Sequence, residues 1–452
     1  MFTEVKSVHF IGIGGTAMAS VAGAMKDKGF VVTGSDQNVY PPMSNFLAAK
    51  QIAVMNGYSE SNLDHKPDLV VVGNAISRGN PEAEVVLDRK LRFCSLPELL
   101  KEYFIRGKRS IVVTGTHGKT TTTSLLTWVF EHNGLNPSYL IGGIPNNFGQ
   151  GARFTDSEWF ILEGDEYDTA FFDKRSKFIH YLPEVAIINN LEFDHADIFP
   201  DLAAIETQFH HLVRTIPANG LIISNGADLN LERVLGRGCW TPLERFALAS
   251  GWQAGVQDAS GAFDILWQGD CQGRLKWDLL GVHNQLNALA AIAAARHGGV
   301  PPAVAIEALA QFRNVRRRME VKGVIKGVTV YDDFAHHPTA IETTLAGLRA
   351  RVNSARIIAV LEPRSNTMKQ GVMKERLAAS LAAADRVFCY SAGLAWDANA
   401  VLAPLGDRIV VCDDFDRLLQ QIVAAARTGD HIVIMSNGGF GGIHDKLLKA
   451  LA

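Results

Sequence analysis

Short apolar runs, many rich in valine and isoleucine, recur along this chain, and the stretches between them space their apolar residues for helices. That alternation predicts strands joined by crossover helices, and hence mainly parallel sheets. Ser7 to Ile11, Val31 to Thr33 and Asp68 to Val72 form a first group, with a helix to about Lys28 after the first run. Val112 to Thr114, Trp159 to Leu162 and Val185 to Ile188 form a second group. A third starts at Val328 and continues through Ile357 to Leu361, Val387 to Tyr390, Ile409 to Val411 and Ile432 to Met435. Polar, glycine-bearing Arg106-Gly107-Lys108-Arg109 separates the first two groups, and Arg316-Arg317-Arg318-Met319-Glu320 marks the junction to the third. The expected architecture is α/β in three domains, residues 1–107, 108–321 and 322–452. Residues 239–273 carry irregular polar and aromatic segments that assign no element, and Trp240, Trp252, Trp267 and Trp277 read as packing residues. No repeat or low-complexity tract interrupts the pattern beyond alanine-rich helices.

A length of 452 residues suits three average domains. The formal net charge is −3 with lysine and arginine scattered, so no nucleic-acid footprint is expected. The five cysteines, Cys94, Cys239, Cys271, Cys389 and Cys412, are far apart with no C-x-x-C pair, which argues for idle thiols rather than zinc or disulfides. The opening Met1-Phe2-Thr3-Glu4-Val5-Lys6 shows no signal-peptide pattern, and apolar runs such as Ala288 to Ala295 are too short to span a bilayer. A cytoplasmic protein without membrane insertion or an obligate protein partner is expected.

The densest chemical signal is Val112-Val113-Thr114-Gly115-Thr116-His117-Gly118-Lys119-Thr120-Thr121-Thr122-Thr123. An apolar strand runs into a glycine turn, a lysine and hydroxyls that open a helix. Backbone N–H groups freed by the glycines face phosphates, Lys119 reaches the outer phosphates, and the Thr120 hydroxyl is placed for Mg²⁺. The loop departs from GxxxxGK[ST], since Val113 stands where that pattern has glycine. It also reads as an ordinary strand-to-helix connection. The phosphate reading makes the central domain of the P-loop ATPase type and implies ATP with Mg²⁺.

Gly12-Ile13-Gly14-Gly15-Thr16-Ala17 follows the first strand, and Gly34-Ser35-Asp36 ends the second. This G-x-G-x-x-A pattern, with an acidic residue about 20 positions on, places a pyrophosphate on a helix N-terminus and a ribose on the carboxylate. The first domain is therefore Rossmann-like and suits either a nicotinamide dinucleotide or a UDP-sugar, while a structural glycine turn stays open. In the second group, the strands deliver Glu163-Gly164-Asp165-Glu166-Tyr167-Asp168 and Asn189-Asn190-Leu191-Glu192-Phe193-Asp194-His195-Ala196-Asp197. Both clusters belong at the carboxyl edge of a parallel sheet, facing Lys119. Carboxylate oxygen suits Mg²⁺, whereas His195 on chemistry alone is more often a loop histidine than a ligand of that ion.

Gly281-Val282-His283-Asn284-Gln285-Leu286-Asn287 precedes an alanine-rich helix, where Asn284 and Asn287 are also suited to helix capping. The arginine run ending at Arg318 reads as a solvated face. The third domain is again doubly wound and Rossmann-like. Its strand ends carry Asp332-Asp333-Phe334-Ala335-His336-His337-Pro338-Thr339, Glu362-Pro363-Arg364-Ser365-Asn366-Thr367 and Ser436-Asn437-Gly438-Gly439-Phe440-Gly441-Gly442. Arginine beside hydroxyl and amide groups suits bidentate capture of a carboxylate, though a plain polar connection has the same composition.

The loop G-T-x-G-K-T, the E-x-D-E and N-x-E-x-D-H-x-D clusters, the G-x-H-N-x-x-N turn and the D-D-[FY]-x-H-H-P-T stretch together resemble the Mur ligases over essentially the whole chain. These enzymes couple ATP hydrolysis to amide formation on a UDP-sugar. The resemblance implies that Thr120, Glu163 and His195 hold magnesium. It further implies that Gly115, Thr116, His117, Gly118, Lys119, Thr120, Thr121, Asn284, Arg318 and Asp333 bind nucleotide, and that Lys119, Glu163, His195, Arg318, Asp333 and His336 are catalytic. Substrate contacts are expected from Gly12, Gly14, Gly15, Ser35, Asp36, Asn74, His117, Arg364, Ser365, Asn366 and Asn437. Several family members carry a carbamylated lysine about one helix beyond the histidine; here Gln208-Phe209-His210-His211 contains none, as in the alanine-adding branch.

Within the family, Asn38 to Ser44, Phe172 to Phe178, Leu361 to Lys369 and Ser436 to His444 resemble the branch that joins UDP-N-acetylmuramate to the murein tripeptide L-alanyl-gamma-D-glutamyl-meso-diaminopimelate in wall recycling. The alternative acceptor is free L-alanine. From outside the family, a nicotinamide-dependent dehydrogenase accounts for Gly12 to Asp36 but leaves Gly115 to Thr121 unexplained. A non-catalytic nucleotide-gated binding protein leaves Glu163 and His195 without a role.

Overall fold

The computed structural model describes residues 4–258 and 260–452. Residues 1–3, part of the opening segment in which no signal pattern is read, lie outside the described residues. Among the described residues the chain forms three mostly parallel sheets, each flanked by helices, and a short hairpin of Asp168–Ala170 with Asp173–Ser176.

In the first domain five parallel strands run in the order Ala53–Asn56, Val31–Asp36, Ser7–Ile11, Leu69–Val72, Phe93–Ser95. Leu69–Val72 is buried on both faces, which is why it reads as a continuous apolar run rather than an alternating one. The strand order reverses beside Ser7–Ile11, so a crevice opens at the carboxyl ends of that strand and Leu69–Val72. Gly12 to Gly15 lies at its lip, and helix Thr16–Asp27 starts directly behind that turn. Underneath, Glu82 is fully buried at the start of helix Pro81–Asp88. It accepts from Ser35 Oγ at 2.5 Å, Asn62 Nδ2 at 2.6 Å and Ser59 N at 3.2 Å, and lies 3.4 Å from His9 Nε2.

The central sheet has ten strands, in the order Asp270–Leu275, Phe263–Trp267, Trp252–Ala254, Leu243–Phe246, Leu221–Asn225, Val185–Ile188, Arg109–Thr114, Trp159–Glu163, Ser138–Leu140, Ala152–Arg153. The interior pairs are parallel and the outermost pairs antiparallel. Residues 239–273, which carried no assignable pattern, supply most of one flank of this sheet. Trp252 and Trp277 are packing residues as expected, and Trp267 packs against Trp252 with ring centroids 4.8 Å apart and the planes tilted by 38°. Trp240 departs from that expectation, being mostly exposed just before Leu243–Phe246. Helix Lys119–His132 is buried despite its hydroxyls, because Thr123, Ser124 and Thr127 each donate to the carbonyl one turn back. It packs on helix Val282–His297, whose residues 288–295 are fully buried.

The third sheet runs Glu320–Ile325, Val328–Asp333, His431–Met435, Ile357–Leu361, Arg386–Tyr390, Ile409–Cys412, all parallel except the first pair. Its first strand opens at Glu320, which pairs with Asp332. The joint to the central domain is the turn before it. Asn314, Arg317 and Met319 have φ of 60°, 60° and 51°, in the left-handed region that costs a branched or long side chain roughly 1–2 kcal/mol. The turn is held by Asn314 Nδ2 on Arg318 O, Glu320 on Arg317 N and Asp333 on Met319 N. The five cysteines are free, and no helix of the described residues is long and apolar enough to cross a membrane.

Glu82 gives the first domain a testable weak point. Burial opposes its charge, but bonds from His9, Ser35 and Asn62 outweigh burial and hold its pKa below the ordinary glutamate value. A carboxyl with a depressed native pKa stabilises above its unfolded value, and that contribution is lost as pH falls through the native value. Amide exchange in Ser7–Ile11 and Val31–Asp36 should therefore quicken on acidification below the glutamate range. Glu82→Ala should remove about 3 kcal/mol, roughly a hundredfold in local opening, at neutral pH. Unaltered exchange in that variant would show that the network adds no stability.

Candidate active site

Strand Arg109–Thr114 ends in the loop 115–118, which is clamped to the end of strand Val185–Ile188. Asn190 accepts from His117 N through its side chain at 2.7 Å and from Thr116 N through its carbonyl at 3.1 Å, while Thr116 Oγ1 accepts from Glu192 N at 2.8 Å. Gly118 has φ +80°, and a Cβ there would lie 2.6 Å from Asn287 Oδ1, so only glycine fits. The result is a rigid turn whose N–H groups open onto the N-terminus of helix Lys119–His132, a favourable place for anionic oxygen.

Lys119 and the acidic clusters meet at this turn. Lys119 Nζ donates to Gly115 O and to Glu166 Oε2, both at 2.7 Å, and Glu166 Oε1 lies 3.2 Å from His195 Nε2. Thr120 Oγ1 donates to Glu163 Oε1 at 2.8 Å, Gly142 N donates to Glu163 Oε2 at 2.6 Å, and Arg318 Nη2 donates to Thr120 Oγ1 at 3.3 Å. Burial pulls the Lys119 ammonium down, yet Glu166, Asp165 and Glu163 outweigh it and keep its pKa above the usual lysine value. Burial and the Asp165 charge push Glu163 up. His195 is pulled down by burial but held up by Glu166 and Asp194.

A cavity of about 1250 Å³ lies between the central and third domains. Thr116 to Thr121, Glu163, His195 and Asn284 line it from the central domain, Arg318 from the joint, and Asp333, His336 and Asn437 from the third. Arg318 is not a solvated face: its guanidinium lies over the Phe334 ring at 4.9 Å, near Asp333. Asp333 accepts from Met319 N and Ala335 N at 2.8 Å, and burial pushes its carboxyl up against the pull of Arg318. Burial pushes His336 down. Asn284 and Asn287 are not caps. The helix is preceded by Gly281 without a side-chain cap, Asn284 Nδ2 donates to Leu280 O, and Asn287 Oδ1 accepts from Thr122 Oγ1. Asn437 Oδ1 is buried without a partner at the cavity wall.

The remaining expected residues lie elsewhere. Gly115 opens the loop and holds Nζ of Lys119 through its carbonyl. Gly12, Gly14, Gly15, Asp36 and Asn74 border the first-domain crevice, where Asp36 Oδ2 accepts from Gly14 N at 2.8 Å and Asn74 is exposed. Ser35 is fully buried, and its hydroxyl goes to Glu82 beneath the crevice. Arg364 lies flat on Gly438, where a Cβ would come within 2.4 Å of its Cδ, and stays half exposed. Ser365 Oγ caps its own helix, and Asn366 Nδ2 donates to Asp197 Oδ2 at 2.8 Å. Ser365 is half-buried, whereas Arg364 and Asn366 are both exposed and keep a free face. Gln208, in the stretch without the expected lysine, accepts from Ser176 N.

Sequence reasoning passed over Glu166, the residue that joins Lys119 to His195, although it stood in the quoted E-x-D-E cluster. It also passed over Glu192, which lies 3.6 Å from His117 Nε2 and accepts from Thr339 Oγ1 at 2.6 Å. Burial opposes the Glu192 charge, but His117 and Thr339 hold it down at about 2.

Three family models match in succession: "Mur ligase family, catalytic domain" over residues 7–107, "Mur ligase middle domain" over 113–295, and "Mur ligase, glutamate ligase domain" over 317–438. A curated relative from Escherichia coli (strain K12), UDP-N-acetylmuramate–L-alanyl-gamma-D-glutamyl-meso-2,6-diaminoheptandioate ligase, is 51% identical over 98% of each chain. The UDP-N-acetylmuramate–L-alanine ligase of Mycobacterium sp. (strain JLS) is 32% identical over 99% of this chain and 96% of its own. The crystal structure of a murein peptide ligase from Psychrobacter arcticus 273-4 superposes with a TM-score of 0.75 at 42% identity, covering 99% of this chain and 98% of that one. Similarity of this extent, with the domain matches in the same order, establishes that the chain belongs to the Mur ligase family.

Proposed function

We propose that this chain joins UDP-N-acetylmuramate to L-alanyl-gamma-D-glutamyl-meso-diaminopimelate at the expense of ATP, in recycling of the cell-wall peptide. The chain is an ATP-dependent ligase that forms an amide bond, as members of its family are. The observation that carries the reading is the glycine cradle with a buried ammonium aimed into it: Lys119, fixed by Gly115 and Glu166, beside the Thr120–Glu163 pair. The tripeptide acceptor is supported by the relative at 51% identity, against 32% for the alanine ligase. A nicotinamide dehydrogenase leaves that cradle without purpose.

In this reading the first-domain crevice takes the UDP-sugar, the central cradle takes ATP, and the third domain presents the peptide. Thr120 and Glu163 offer hard oxygens 2.8 Å apart at the mouth of the cradle, a donor set that suits Mg²⁺. His195 joins that set only by turning its Nε2 from Glu166. Bound Mg²⁺ would supply positive charge to the phosphoryl group in transfer. The lactyl carboxylate oxygen takes the γ-phosphoryl group and ADP leaves, giving an acyl phosphate. The peptide amine then attacks the acyl carbon, gives up a proton, and phosphate departs. Lys119 and Arg318 are positioned to stabilise charge on the phosphoryl oxygens, and the third domain excludes water from the acyl phosphate. Dependence on ATP and a nucleotide-linked precursor supports a cytoplasmic setting.

Lys119→Ala should lower turnover by about 10² to 10³, the usual effect of losing one preorganised charge. Calorimetric binding of UDP-N-acetylmuramate should stay unchanged, because its crevice is elsewhere. Turnover near that of the wild type would remove Lys119 from the reaction.

Phosphate release with UDP-N-acetylmuramate fixed and the acceptor varied tests the substrate. The tripeptide should outpace free L-alanine at equal concentration, and the reverse order would reassign the acceptor. Arg364→Ala should raise the tripeptide KM about tenfold, the low end for a carboxylate pair because the guanidinium is half exposed. An unaltered tripeptide KM would take Arg364 out of peptide binding.

A further inference from the structure

The loop after strand Val185–Ile188 is bonded to the third domain along its length. Glu192 accepts from Thr339 Oγ1, Asp194 Oδ1 from Thr367 Oγ1 at 2.9 Å, and Asp197 Oδ2 from Asn366 Nδ2. Thr367 is 2% exposed and makes two of the contacts: its hydroxyl also accepts from Ala196 N at 3.3 Å. Those partners flank His195 on either side. His195 itself is held in the left-handed region, φ 54°, with its N–H on Asp194 Oδ1 at 2.7 Å. A β-carbon residue in that conformation persists only when its surroundings over-determine it. Beyond the backbone, His195 Nε2 reaches Glu166, and Glu166 reaches Lys119.

We propose that Thr367 is a positioning residue through which the seated third domain sets His195, and through Glu166 sets Lys119, so that the phosphoryl-transfer geometry is complete only when that domain is docked. The inference rests on the ligase reading. Its physical content is a switchable contact. Thr367 comes from a different domain than every group it orders, and its hydroxyl donates to a carboxylate that is only 7% exposed. Replacing that hydroxyl with a methyl leaves Asp194 with the His195 N–H alone, at a cost comparable to a lost charge-assisted hydrogen bond. The third domain then spends less time seated, and water reaches the acyl phosphate before the amine does.

Thr367→Val keeps the shape and removes the hydroxyl, whereas Thr367→Ser keeps the hydroxyl and removes a methyl. Phosphate release and amide formation would be measured together, with UDP-N-acetylmuramate, ATP and the tripeptide. The wild type should release about one phosphate per amide. In Thr367→Val, amide formation should fall about tenfold or more, and the phosphate released per amide should rise at least about twofold as the acyl phosphate is lost to water. Thr367→Ser should restore both readings. Tight coupling in Thr367→Val, whether at wild-type rates or at rates lowered in proportion, overturns the inference, as does failure of Thr367→Ser to rescue. If the wild type itself forms no amide from the tripeptide, the tripeptide reading falls and the inference with it, so the two failures are told apart.

Discussion

The ion pair between Lys119 and Glu166 is the contact on which the rest of the site depends. Both groups are withdrawn from water, Glu166 almost completely, and desolvation of that kind costs several kcal/mol per ion unless geometry and further bonds offset it. Here they do: Gly115 O takes a second hydrogen of the ammonium and His195 takes the second oxygen of Glu166. The lysine is therefore charged and aimed before any phosphate arrives. A nucleotide entering the cradle meets a preorganised cation instead of one that must be recruited.

The fold makes that contact possible by bringing strand ends from two sheets to one place. Arg109–Thr114, Trp159–Glu163 and Val185–Ile188 are adjacent parallel strands, so their carboxyl ends deliver the loop, the first acidic cluster and the second side by side. Val328–Asp333 and His431–Met435 do the same on the third domain, facing them with Asp333 and Asn437. Between the two sheets the strained turn at Asn314 to Met319 carries Arg318 onto Thr120. Strain at that joint is offset by bonds from both sides, which ties the conformation of the linker to the seating of the domains it connects.

What the sequence disclosed was local in origin. Glycine turns between an apolar run and a helix announce themselves within a dozen residues, and both the cradle and the first-domain crevice were legible for that reason. The strands within 239–273 were not: they are short, lie toward the edge of the sheet and bury few residues, a single one in each of Leu243–Phe246, Trp252–Ala254 and Asp270–Leu275. The same limit applies to side chains. Asn366 and Ser35 have the chemistry of ligand contacts, but one spans to Asp197 and the other turns inward to Glu82, partners 169 and 47 residues away. Glu166 was visible as a member of a motif, while its place between Lys119 and His195 came only from the meeting of three separate segments.

The central claim, that a carboxylate is activated by phosphorylation in this cradle, has a direct test in the fate of the carboxylate oxygens. UDP-N-acetylmuramate labelled with ¹⁸O in the lactyl carboxylate would be converted with ATP and the tripeptide, and the released phosphate analysed by mass spectrometry. The account predicts that each phosphate carries one oxygen from the carboxylate, at the enrichment of the starting sugar. Phosphate free of the label, formed alongside amide product, would contradict it.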